Sequence, residues 1–75
     1  MTKMPTRMYE KVVLTKPVIL DFRGDVMAIG RDAVVVDFID EGEVILEFAF
    51  PAPELEGGHR FETAFARCDD FRPIP

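Results

Sequence analysis

The sequence contains no tryptophan and only one cysteine, one histidine and one tyrosine among 75 residues, and each shortage removes a class of explanation. With Cys68 alone, no internal disulfide can form, whereas small secreted domains of this size are ordinarily stapled by several. A reducing, cytoplasmic setting is therefore expected. One histidine and few hydroxyls leave little from which to assemble the convergent acid, base and nucleophile of an active site, so neither catalysis nor a cofactor or metal is expected. Long apolar runs are also missing. Residues 1–8 carry Lys3 and Arg7 without the apolar stretch of a signal peptide, and no run approaches the roughly 20 apolar residues that span a bilayer. Basic residues are short in supply too: nine Lys and Arg face fourteen Asp and Glu, for a net charge of -5. That balance repels a phosphate backbone, so nucleic acid is disfavoured and a basic protein surface is the complementary partner.

What is present is apolar side chain in strand-like order. A hydrophobic fraction of 48% supplies one thin core, and the chain is too short for two. Residues 1–8 mix Thr, Lys, Pro and Met without a period and are expected to form a flexible arm. A single domain is expected over 9–75. Tyr9 to Thr15 is rich in β-branched and aromatic residues and stops at Lys16-Pro17, which reads as a first strand. Val18-Ile19-Leu20 lies in a longer connection that ends at the Arg23-Gly24-Asp25 turn.

Three strand-like runs follow, Val26 to Gly30, Ala33 to Ile39 and Glu43 to Phe50, and together they read as a meander. Asp40-Glu41-Gly42 suits a tight hairpin turn with glycine in its last place. Pairing residue for residue from Ile39 and Glu43 sets Phe38, Val36 and Val34 opposite Val44, Leu46 and Phe48 on a buried face. The outer face then receives Asp37 with Ile45 and Val35 with Glu47. Pro51-Ala52-Pro53 ends the long strand, and Glu54 to Arg60 reads as an exposed loop. Phe61 to Arg67 alternates again, with Phe61, Thr63 and Phe65 on one side and Glu62, Ala64 and Ala66 on the other. A helical turn at Cys68-Asp69-Asp70 and a closing edge strand, Phe71 to Ile74, complete the chain.

About five short antiparallel strands with one helical turn near the C-terminus imply an all-β domain, specifically a small, partly open SH3-like barrel. Val12-Val13-Leu14-Thr15, Arg23-Gly24-Asp25-Val26 and Val35 to Gly42 resemble a family of short bacterial proteins known only as a domain of unknown function. Its members look like SH3-type barrels with a Val-rich first strand, a Gly-Asp turn, and a central strand ending in Phe, an acidic residue and Gly. Met27 departs from that pattern, where a glycine is expected, as does the long loop from Pro51 to Arg60. The resemblance implies a fold and no activity.

Candidate chemistry is sparse. His59 beside Gly57-Gly58 reads as an exposed loop histidine, and Cys68 as a small apolar side chain unless His59 lies beside it. Asp69 and Asp70 read as caps of the helical turn. Gly57-Gly58-His59-Arg60 lacks the lysine and following helix of a phosphate loop. The feature above background is acidic clustering along the central hairpin, where Asp37, Asp40, Glu41, Glu43 and Glu47 occur with no intervening cation. Together with Val35, Ile39 and Ile45 these residues form the expected partner-binding strip of a non-catalytic interaction module of accessory, antitoxin or immunity type. An outer face bearing Val35, Ile45 and Ala49 would also serve a homodimer. The rival expectation is a nucleic-acid-associated barrel that uses Lys3, Arg7, Lys11 and Lys16 as a basic edge and Tyr9 as a stacking surface.

Overall fold

The computed structural model describes residues 7–20 and 24–74. Most of the expected arm, and Arg23 of the expected turn, lie outside the described residues. The elements are β1 (Lys11–Leu14), β2 (Val18–Ile19), β3 (Val26–Met27), β4 (Asp32–Asp40), β5 (Glu43–Pro51), β6 (His59–Arg67), a 3-10 turn at Cys68–Asp70 and β7 (Phe71–Pro73). β6-β5-β4-β1-β7 form one antiparallel sheet and β2-β3 a separate two-stranded ribbon. β6 and β7 are the two edges of the larger sheet, which does not close into a barrel.

The all-β expectation is met, with two corrections in the centre. First, β3 pairs with β2 (Val18 opposite Met27, Ile19 opposite Val26) and not with β4, so the meander is β4-β5-β6. Gly30, at φ +93, turns the chain between ribbon and sheet, and the Gly30 amide donates to the Leu14 carbonyl at 2.9 Å. Second, the β4-β5 ladder is not residue for residue. Asp40 faces Glu43, Phe38 faces Val44 and Asp37 faces Ile45, but Val35 faces Leu46 and Val34 faces Glu47, with register shifts between Phe38 and Asp40 and between Val35 and Asp37. Ile39 and Val36 are the extra residues of two β-bulges.

Two aspartates explain those bulges. The Asp37 carboxylate accepts the Phe38 amide at 2.8 Å and the Asp40 carboxylate accepts the Glu41 amide at 2.7 Å. A short acidic side chain that bonds its neighbouring amide offers the backbone an alternative to the ladder, and one extra residue is then absorbed without stranding a donor. The consequence is an exchange of faces: Ala33 and Val35 turn inward, and Val34 becomes an outer residue opposite Glu47. Gly42, at φ +81, takes the left-handed place in the turn, as its position suggests.

The core lies between the inner face of the sheet and the ribbon. Val12 and Leu14 of β1, Ala33 and Val35 of β4, Val44, Leu46 and Phe48 of β5, Ala64 and Ala66 of β6, and Phe71 of β7 are buried there. Val18 and Leu20 close it from the ribbon side, with Met27, Phe38 and Phe50 packed at its margin. Alanine at 64 and 66 has a physical reason: β2 packs against β6, and small side chains let the two backbones approach. The 3-10 turn is stitched to the end of β1, since the Thr15 and Lys16 amides both donate to the Asp70 carbonyl at 2.8 and 3.2 Å. Asp70 caps the turn as expected, its carboxylate accepting the Arg67 amide at 2.9 Å.

Candidate functional site

Inward facing of Ala64 and Ala66 leaves the other side of β6 outside. Phe61 and Phe65 are 58% and 57% exposed, large values for phenyl rings in a regular strand. Cross-strand pairing places their neighbours: Phe65 lies opposite Ile45, Thr63 opposite Glu47, Phe61 opposite Ala49 and Arg67 opposite Glu43. On the far side of β5, Ile45 meets Asp37 and Glu47 meets Val34. The outer face therefore carries Phe65 beside Ile45 and, beyond the pair of Thr63 and Glu47, Phe61 beside Ala49, with Asp37 and Glu43 at the margin.

Of the strip expected from the sequence, the structure brings Asp37, Glu43, Ile45 and Glu47 together on this face. Asp40 and Glu41 stand exposed at the hairpin tip, and Ile39 is exposed in its bulge. Val35 does not belong to the strip. It is fully buried in the core, because the bulge at Val36 turns it inward, and it is unavailable to any partner. Ile45 and Ala49 remain outside. The residues missed by sequence reasoning are Phe61 and Phe65, whose alternation was visible but whose side was not. The signal was the alanine pair on the opposite face.

The inner face at the free ends of β5 and β6 is a cation-aromatic cluster. β5 overhangs β4 here, and the Arg31 Nη2 donates to the Ala49 carbonyl where a continuing β4 would have bonded. The Arg31 guanidinium lies 5.9 Å from the Phe48 ring centroid and 5.1 Å from that of Phe50, and Arg60 lies 5.0 Å from Phe50. Arg60 in turn donates to the Glu62 carboxylate at 2.7 and 3.0 Å. Beside Arg31, a shallow depression of about 180 Å³ is lined by Lys11, Asp32, Val34 and Glu47 among others. It is smaller than the roughly 300–1,000 Å³ of ligand pockets, and its walls carry both signs of charge.

His59 and Cys68 do not meet. They sit at opposite ends of the nine-residue β6 and just beyond it, roughly 30 Å apart at about 3.3 Å per residue. Burial, then the neighbouring Asp69, raises the Cys68 pKa above its ordinary value, which favours the thiol over the nucleophilic thiolate. His59 is exposed, with its Nδ1 3.3 Å from the Gly57 carbonyl oxygen and its ring tilted toward Phe61. Among the described residues, no three His, Cys, Asp or Glu side chains gather where a metal ion could be held. The Gly57-Gly58 loop is closed at its base by the Ala52 amide bonding the Gly58 carbonyl at 2.9 Å.

Asp69 serves an ion pair and not a cap. Lys16 Nζ donates to its carboxylate at 3.1 Å, and this hydrogen bond, followed by the charge of Lys16, holds the Asp69 carboxyl below its ordinary 3.8. A carboxyl depressed on folding adds stability above its unfolded pKa, and that contribution disappears as pH falls through the folded value. The pair is exposed, so the contribution is small and weakened by salt. In an NMR titration, the Asp69 midpoint is expected below 3.8 and should rise toward it in Lys16→Met. An equal midpoint in both proteins would rule out the pairing.

The expected basic edge is only partly assembled. Lys3 lies outside the described residues, Lys16 is engaged by Asp69, and Arg7 and Lys11 are exposed near Tyr9. Tyr9 is 72% exposed and has a left-handed backbone at φ +62. Its amide bonds the Val35 carbonyl at 2.6 Å.

The chain matches no family model, no characterised protein and no solved structure among those compared. Among the described residues, no helix is long and apolar enough to cross a membrane. The fold and surface together define a small open-sheet domain with an exposed aromatic face and a carboxylate border.

Proposed function

We propose that this domain is a non-catalytic protein-interaction module whose partner presents apolar side chains flanked by basic ones. The observation that carries the proposal is the exposure of Phe65, beside Ile45, and of Phe61, beside Ala49, on one regular sheet face. Aromatic side chains dominate the energetics of protein interfaces, and an ordered strand has already fixed their backbone before docking, which leaves only side-chain ordering to be lost. Asp37 and Glu47 share that face, so cationic partners are favoured and steered, and acidic ones are rejected. Such a module fits an accessory, antitoxin or immunity role in the cytoplasm, for which the acidic balance and the single cysteine are the support.

The same reading takes the fold as SH3-like. Its support is the strand order, with a ribbon inserted between the first strand and the meander and a 3-10 turn before the last strand. Membership in the short bacterial family that the sequence resembles is proposed on the quoted residues alone.

Affinity capture from the source cell tests the partner surface. The wild-type domain is expected to retain a specific protein that Asp37→Lys and Glu47→Lys each release, with folding of both variants verified by circular dichroism. Recovery of the same protein at the same yield by both variants would remove these carboxylates from the interface.

A further inference from the structure

β6 is an edge strand of nine residues, and its three central outward-facing side chains, Phe61, Thr63 and Phe65, read the same in both directions, with His59 and Arg67 at its two ends so that each lies opposite the other across a two-fold axis at Thr63. We infer that two copies of this chain associate antiparallel along β6, with a two-fold axis at Thr63, to form one continuous sheet. In that register Phe61 lies opposite the partner's Phe65, Phe65 opposite the partner's Phe61, and Thr63 opposite the partner's Thr63. Aromatic-aromatic and Thr-Thr pairs are the favourable cross-strand combinations, and a two-fold interface requires a surface complementary to itself. On the inner face Glu62 and Ala64 exchange partners in the same way, as do Arg60 and Ala66.

Charge permits pairing at this edge. Of the three nine-residue strands, β4 carries Asp32, Asp37 and Asp40 and β5 carries Glu43 and Glu47, all without a cation. β6 carries Arg60 and Arg67 against Glu62. Glu62 is held by Arg60 within its own strand, so bringing two copies together leaves no unbalanced carboxylate at the seam. A chain of net charge -5 thus meets itself along the one long strand that is not acidic. β2 packs beside β6 without joining its ladder.

Association stops at two. The other edge, β7, is three residues long and ends at Pro73, which lacks the amide needed to extend the ladder. The Phe pairs lie on the same outer face as Ile45, so pairing merges two aromatic patches into one surface. The inference stands on β6 and does not depend on what protein docks there.

Disulfide trapping tests the register. Directly opposed residues of antiparallel strands have Cα atoms about 4.5–5.5 Å apart, within the roughly 4.4–6.8 Å that a disulfide bridges. In a Cys68→Ala background, Thr63→Cys is expected to form a covalent dimer under mild oxidation. Phe61→Cys alone is expected not to, since its own copy lies roughly 13 Å along the strand at about 3.3 Å per residue, but mixed with Phe65→Cys it should cross-link. Analytical ultracentrifugation of the unmodified protein is expected to give twice the 8.5 kDa chain mass. Thr63→Lys should raise the dissociation constant at least about tenfold through like charges at the axis, and mixing it with Thr63→Glu should restore the dimer. A wild-type protein that is monomeric at all concentrations, or a folded Thr63→Cys that does not cross-link, would overturn the inference. Asp37→Lys, away from the seam, should leave the dimer intact, which separates this result from loss of the docked partner.

Discussion

Val35→Asp is expected to abolish cooperative folding, while Val34→Thr, one residue earlier on the same strand, should leave stability within roughly 0.5 kcal/mol. Val35 is fully buried opposite Leu46, among side chains that offer a carboxylate no hydrogen bond or counter-charge. An unpaired charge in such a site costs several kcal/mol even after its pKa shifts to neutralise it. A domain of this size holds only about 0.05–0.15 kcal/mol per residue in total, so that cost consumes most or all of it. Val34 lies on the outer face opposite Glu47 and Lys11, where threonine keeps the β-branched shape and meets water. Pairing β4 and β5 residue for residue predicts the opposite ranking. Circular dichroism and urea titration of the two variants decide between the registers: a folded Val35→Asp alongside a badly destabilised Val34→Thr would refute the bulged ladder.

Phe48→Ala is expected to remove about 3–5 kcal/mol, leaving the domain partly unfolded at 37 °C. Phe48 is the largest of the fully buried side chains, and the cavity it leaves lies under a sheet only one layer deep, with little surrounding mass to collapse into it. Its ring also supports the Arg31 guanidinium, whose Nη2 bonds the Ala49 carbonyl while its buried Nε meets no acceptor among the described residues. Arg31 is therefore expected to lose order together with the ring. Phe48→Leu should cost less, since it keeps most of the apolar volume. Denaturant melts that show Phe48→Ala within 1 kcal/mol of wild type, a threshold well below about 3 kcal/mol, would mean that Phe48 is not the centre of the core.

The two Asp residues show where strand patterns become unreliable. Alternation along Ala33 to Ile39 suits either face, because Val34, Val35 and Val36 are interchangeable in a hydrophobicity count. The choice is made by Asp37 and Asp40, each binding the next amide, and a local side-chain bond of that kind inserts a residue without altering composition. A similar ambiguity affects β6. Phe, Thr and Phe on one side look more core-like than Glu, Ala and Ala on the other, yet the alanines are inside, on the face against which β2 packs. The acidic strip was legible as a cluster, but its members divide between the hairpin tip and the sheet face once the bulges are in place.

Local chemistry determined much of this protein without reference to distant parts of the chain. The β-rich character, the glycine at the hairpin turn, the proline stop after Phe50 and the helical turn capped by Asp70 all follow from backbone preferences acting within a few residues. Tertiary structure alone decided that β3 pairs with β2 and that Phe61 and Phe65 face outward. Those outcomes depend on which surfaces compete for one small volume, and neighbouring residues in the chain carry no information about the distance between β2 and β6.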